Sequence, residues 1–220
     1  MWRLHHFELC PFSRKVRLLL SEKGVAYALH PIVPWECRDE LRHLNRAGRT
    51  PVLQDPDRRI VLADSAAICE YIEQTVPGGS LLMGSAEQRA ETRRLVAWAD
   101  ELFYAQVTLP LLRHRLIENR HEPDERVLNA ARSKADVLLE EIGFLVDTRA
   151  WLAGPTLSMA DLATAAHISV ADYLGGINWA GHEQAQTWYS VIKSRRSFQP
   201  LLAERVMGIE PPAQYSDLNA

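Results

Sequence analysis

The sequence predicts a small α/β domain followed by an all-helical one. Three observations carry this. Over the first ~80 residues, short apolar runs alternate with helical periodicity in the order β-α-β-α-β-β-α, which implies a small mixed sheet. Beyond that point apolar residues recur only at helical spacing, over long stretches. Between the two parts, Pro77-Gly78-Gly79-Ser80 breaks the chain and sets a linker near residues 76–86.

Each element follows from local rules. Residues 2–7 read as a strand, with His5 and His6 alternating across it. Phe12, Val16, Leu19 and Leu20 share one face of a helix over 12–23, and Gly24 ends it. Val25 to Ile32 is a second strand and Trp35 to Leu44 a short irregular helix. Arg49-Thr50-Pro51-Val52-Leu53 is a strand entered through proline. The turn Asp55-Pro56-Asp57 leads to a strand over Arg58–Leu62. Ser65 is expected to cap a helix running to about Gln74. In the second part, Glu87 to Glu118 is helical with Leu95, Trp98, Ala99 and Leu102 on one stripe, kinked at Pro110. Asp124 to Val146 repeats the pattern through Val127, Ala131, Leu138, Ile142 and Leu145. Further helices are expected near 158–173, 182–195 and 199–206, with no strand. Gly208 to Ala220 is aperiodic and is expected as an extended tail outside the core.

Composition narrows the function classes. The chain has 220 residues, 47% of them apolar, and a formal net charge of -3. A mildly acidic protein offers no electrostatic case for general nucleic-acid binding. No apolar run is long enough to span a membrane, and Met1-Trp2-Arg3-Leu4-His5-His6 lacks a signal core. Cys10, Cys37 and Cys69 are too scattered for a disulfide framework, so a cytoplasmic location is expected. No C-x-x-C or H-E-x-x-H spacing is present, and no metal is expected.

The chemistry concentrates at Leu9-Cys10-Pro11-Phe12-Ser13-Arg14-Lys15-Val16-Arg17. A cysteine at a strand-to-helix turn meets the positive end of the helix dipole, which favours a thiolate, and three nearby cations add to that field. The plain alternative is a small half-buried hydrophobe. Ser158-Met159-Ala160-Asp161 reads as a capping box, flanked by Leu157 and Leu162, so Asp161 is structural rather than catalytic.

Four motifs together resemble the glutathione transferase family over nearly the whole chain: the Cys10-Pro11-Phe12-Ser13 turn, Thr50-Pro51-Val52-Leu53, Asp64-Ser65-Ala66-Ala67-Ile68 and the capping box. The resemblance implies a thioredoxin-like glutathione-binding domain over 1–76, an all-helical domain over 87–207 and a tail over 208–220. It implies glutathione as co-substrate, held by Phe12, Arg49, Thr50, Pro51, Asp64 and Ser65. A cis bond before Pro51 would let the backbone of Thr50 pair with a peptide-like ligand. The ligand carboxylate would meet Ser65 at a helix N-terminus, and Asp64 would hold the ammonium. Cys10 or Ser13 would supply the catalytic group. Lowering a bound thiol's pKa by two units takes ~2.7 kcal/mol of preferential thiolate stabilisation, within reach of one or two charge-assisted hydrogen bonds. With no cysteine at position 13, a dithiol mechanism is excluded, whereas monothiol exchange stays open. A small electrophile would complete the reaction, against candidates Trp98, Phe103 and Tyr104. A homodimer is the family's expectation.

A narrower resemblance runs through His5 to Arg17, the turn Pro34-Trp35-Glu36, and the tail Pro211-Pro212-Ala213-Gln214-Tyr215-Ser216-Asp217-Leu218. These are similar to bacterial glutathione-transferase-like division proteins that bind the tubulin homologue FtsZ. That resemblance implies a dimeric binding module without established catalysis, with Trp35, Tyr215, Asp217 and Leu218 as partner contacts. Two functions therefore stand side by side: glutathione-dependent transfer or thiol exchange, and FtsZ binding on the same fold.

Overall fold

The computed structural model describes residues 1–118 and 124–218; residues 119–123 and the last two positions of the expected tail lie outside it. The chain divides into two compact units, Met1–Ser80 and Leu81–Ala220.

In the first unit the elements are β1 (Trp2–His6), α1 (Pro11–Glu22), β2 (Tyr27–Pro31), α2 (Arg38–Leu44), β3 (Val52–Asp55), β4 (Ile60–Ala63) and α3 (Ser65–Thr75). The strands form one mixed sheet in the order β2-β1-β3-β4, with β2 parallel to β1 and both β3 pairings antiparallel. Leu4 faces Leu29 on one side and Leu53 on the other, which sets the register. Helices α1 and α3 pack against each other, burying Val16, Leu19, Leu20, Ile68 and Ile72. A second, smaller cluster of Ile32, Leu41 and Val52 takes in the half-buried Cys37, so that cysteine is a packing residue. Gly24 ends α1 at φ +63°, a conformation that a side chain would oppose, and its N–H returns to Ser21 O.

The second unit is helical: α4 (Ala86–Ala97), a wide-wound stretch Trp98–Thr108, α5 (Leu109–Leu112), a second wide turn Arg113–Ile117, then α6 (Glu125–Thr148), α7 (Met159–Tyr173), α8 (Glu183–Lys193) and α9 (Gln199–Leu202). Among the described residues it contains no strand, only two isolated bridges. Every residue of α7 is buried, its polar Asp161, Thr164, His167, Ser169 and Asp172 included. The stretch Trp98–Thr108 has π-helical winding. This corrects the expected stripe. A strict i, i+4 spacing drifts about 40° per step around an ordinary α-helix. The wider turn cancels that drift, so Leu95, Ala99, Phe103, Val107 and Leu111 all face inward while Leu102 is exposed. Phe103, expected near a ligand, is fully buried against Trp98 and His167. In α6 the inward position is Leu128, with Val127 only half-buried.

The tail also departs from expectation. It folds back on its own unit through the short 3₁₀ turn Ala213–Tyr215. Tyr215 is fully buried, stacks edge-on to Tyr173 and donates to Leu201 O at 2.8 Å. Gln214 donates to Asp172 and to Ile177 O, and Lys193 donates to the carbonyls of Gln214 and Asp217. Burial pushes the Asp172 carboxyl up to about 6 and pulls Lys193 down. Aperiodic sequence hid this, because the tail is held by single side chains rather than by a repeating face.

Candidate functional site

Sheet direction alone assembles the site. With β2 and β4 running the same way as β1 and β3 running against it, the C-terminal ends of β1, β2 and β4 share one end of the sheet with the entry to β3. Four segments therefore meet there: the turn at Cys10, the loop holding Trp35, Thr50–Pro51, and Asp64–Ser65. Ligands of open α/β sheets favour that end.

Cys10 occupies the cap position of α1, with extended backbone, and Pro11 opens the helix. Its amide is tied to Phe7 O, closing the turn, and its thiol donates to Thr50 O at 3.6 Å. Thr50–Pro51 is cis. Cys10 thus lies between the positive end of α1 and the backbone just ahead of β3. Ser13 is fully buried and its hydroxyl has no partner, so it faces the interior of its unit rather than the opening. Phe12 is half-buried, and Arg49 is exposed with its carbonyl accepting from Asn45.

At α3 the cap is Asp64, not Ser65. The Asp64 carboxylate accepts from Ala66 N at 2.9 Å and Ala67 N at 3.1 Å. Asp64 also holds φ at +76°, uncommon for a residue with a side chain, and such strain gathers at ligand-binding turns. Ser65 follows it, nearly buried in the first helical position. The physical reason for the correction is geometric. At a left-handed cap the preceding carboxylate reaches the first free amides, which leaves Ser65 available for another acceptor or donor.

The three cations of the Cys10 motif lie inside the fold. Arg14, Lys15 and Arg17 are buried, and Arg14 donates to Glu8 O at 2.8 Å. Beside them lies a group that sequence reasoning missed. His6 is buried with neither ring nitrogen partnered, and burial, then Arg17 and Arg14, holds its pKa down at about 3. Strand alternation puts His6 on the same face as Leu4, the one signal that could have found it, but nothing local showed which charges surround it.

Trp35 is half-buried and packs edge-on against Phe7 at 5.0 Å, three residues before Cys10. Asp217 and Leu218 are exposed, whereas Tyr215, expected as a partner contact, belongs to the core. Asp161 completes both halves of its capping box and accepts from Leu152 N and Trp188 Nε1 as well, which accounts for its whole carboxylate. Among the described residues no group of three His, Cys, Asp or Glu side chains converges to hold a metal, and no helix is long and apolar enough to cross a membrane.

Comparison with known proteins agrees with this geometry. The glutathione S-transferase N-terminal domain profile matches residues 4–80. The FtsZ-localized protein A of Caulobacter vibrioides is 41% identical over 98% of this chain and 97% of its own. The crystal structure of a glutathione S-transferase from Rhodospirillum rubrum F11 superposes with a TM-score of 0.94 at 43% identity, covering all of both chains. The solved structure of FzlA from C. crescentus superposes with a TM-score of 0.93 at 40% identity, covering 100% of this chain and 99% of the other.

Proposed function

The chain belongs to the glutathione S-transferase family, and on that premise we propose that it works as an FtsZ-associated module built on this fold. The observation that carries the reading is the 41% identity with the Caulobacter FtsZ-localized protein A, which extends over 98% of the chain and so takes in both units and the tail. Trp35 is the proposed anchor. It is partly exposed, packs edge-on against Phe7, and aromatic anchors of this kind dominate interface energetics. Asp217 and Leu218 form a second contact at the exposed end of the tail, and Tyr215 supports them from within the core. The module is a cytoplasmic homodimer in this reading. Its three cysteines are all free thiols, consistent with a reducing compartment.

The test is co-sedimentation of the purified full chain with FtsZ polymers. Wild type pellets with polymer, and Trp35→Ala weakens the association about tenfold or more with little change in stability. Failure of wild type to co-sediment at any ratio removes the FtsZ reading. Undiminished binding by Trp35→Ala removes that residue as the anchor.

A second reading is favoured by the Cys10–Thr50 contact and the strained Asp64: the same sheet end binds glutathione and Cys10 performs thiol exchange. Cys10 rather than Ser13 is the proposed nucleophile, since its thiol, though largely buried, reaches Thr50 O at the sheet end, whereas the Ser13 hydroxyl is fully buried. The Cys10 thiolate attacks one sulfur of oxidised glutathione, forming a mixed disulfide and expelling the other half as glutathione thiolate. Phe12, Arg49, Thr50, Pro51, Asp64 and Ser65 would hold the tripeptide; transfer to a small electrophile would use the same pocket. Calorimetric titration with reduced glutathione tests it. Asp64→Asn keeps an oxygen for the cap and tolerates positive φ while removing the charge that would hold the ligand ammonium. Loss of that charge, or of the hydroxyl in Ser65→Ala, is expected to weaken binding about tenfold or more. Absence of heat at millimolar glutathione from the folded wild type sinks this reading and leaves the first intact.

A further inference from the structure

Helices α6 and α8 pack side by side in the second unit, with Gly143 facing Gln184 across the seam. Along this seam runs an open trough in two joined parts, of about 420 and 250 Å³, which share Asp147 and Gln184. Its walls are mixed, with apolar and aromatic side chains set among polar ones. Trp151 is half-buried in it and the edge of Trp188 forms part of the wall. Val191 is 46% and Phe144 69% exposed, so the trough presents apolar surface to water. Its unpaired charge is acidic, since His182, which also lines it, is engaged by Asp136 at 3.3 Å. Glu140, Asp147 and Glu183 line the trough, all three are exposed, and none has an ion pair among the described residues. No lysine or arginine lines either part.

We infer that this trough is a docking groove for a short basic peptide segment of another protein, whose lysine or arginine heads meet the three carboxylates and whose apolar side chains cover Trp151, Val191 and Phe144. Charge complementarity selects the occupant. Carboxylates beside a low-dielectric apolar floor repel phosphate-rich ligands and attract cations, and a guanidinium can also stack on indole. A second copy of this chain is disfavoured, because two-fold pairing of this face sets the acidic trough against itself. Length fits as well: Glu183 to Val191 spans about 12 Å of helix at 1.5 Å per residue. An extended segment of about four residues, at ~3.3 Å each, covers that span. The inference requires neither reading of the sheet end, which lies in the other unit.

Fluorescence anisotropy of a labelled Leu-Arg-Leu-Lys peptide, titrated with the full chain at low salt, tests it beside a Leu-Glu-Leu-Glu twin. The basic peptide is expected to bind at least about tenfold tighter than the acidic one, and to weaken steeply with salt. Asp147→Lys combined with Glu183→Lys should abolish that preference, and both sites are exposed, so an unchanged thermal midpoint certifies the fold. Glu140→Lys, in the other part of the trough, provides a second variant with a smaller loss. Backbone amide shifts on adding the peptide should fall on α6 and α8. Equal binding of both peptides, binding of neither, undiminished binding by the double variant, or shifts elsewhere would each overturn the proposal.

Discussion

Replacing Asp161 with alanine is expected to cost the helical unit about 3–5 kcal/mol, a larger loss than any single cap removal in the molecule. The buried carboxylate accepts from Leu152 N, Ser158 N, Ser158 Oγ and Trp188 Nε1, at 2.8 to 3.0 Å. Burial pushes its pKa up, and those hydrogen bonds pull it back towards the ionised form. Alanine removes the acceptor but leaves four donors with no water to turn to, and stranded buried donors are the expensive outcome. Ser158→Ala, by contrast, gives up the acceptor for Ala160 N and one bond to Asp161, for about 1 kcal/mol. Thermal unfolding of the full chain reads both. For a protein of this size about 10 °C separates Asp161→Ala from wild type, and Ser158→Ala falls a few degrees below it. A midpoint for Asp161→Ala within a degree or two of wild type would show that the network contributes little.

Acid should unfold the α/β unit through His6. In the unfolded chain this imidazole takes a proton near pH 6.5, whereas in the fold burial beside Arg17 and Arg14 delays protonation until about pH 3. The unfolded state therefore binds more protons between those two values, and stability rises with pH across them. Its contribution is complete above pH 6.5 and drains away as pH falls towards 3. At about 1.4 kcal/mol per pH unit, the full loss is about 4–5 kcal/mol, of which about 3 is gone by pH 4. His6→Phe keeps a ring in the same space, and since neither nitrogen has a partner, nothing is orphaned. Amide exchange at Leu53, in the centre of the sheet, is the appropriate probe, because it reports this unit separately from the helical one. Between pH 7 and 4 the wild type should lose about 3 kcal/mol of protection more than His6→Phe. Parallel profiles for the two proteins would reject His6 as the acid-sensitive group. Asp172 in the helical unit works in the opposite sense, since its carboxyl is raised to about 6, so a global melt would blur the two.

What could be read directly from the residues was whatever local rules govern. Periodicity placed the helices, Gly24 ended α1, and Ser158 with Asp161 announced a cap whose two halves are both formed. The four segments of the candidate site were visible as motifs because turn, proline and cap chemistry is written in two to five adjacent residues. Other assignments failed where a neighbour distant in sequence had the deciding part. Ser65 looked like the cap of α3, but the left-handed backbone at Asp64 puts that carboxylate on the first amides. Leu102 sat on a proper α-helical stripe, and π winding turned it outward. Arg14, Lys15 and Arg17 were read only as cations near Cys10, and their burial was not legible in the motif.

The sequence by itself therefore determined the order and kind of elements, the cysteine turn and the capping box, because these depend on backbone geometry over a few residues. Only the tertiary structure decided that one end of the sheet gathers Cys10, Trp35, Thr50 and Asp64, that Tyr215 anchors the tail in the core, and that α6 and α8 leave an acidic trough between them. Those outcomes turn on which groups lose water and which charges approach across long sequence separations, and desolvation is a property of the packed neighbourhood rather than of the residue.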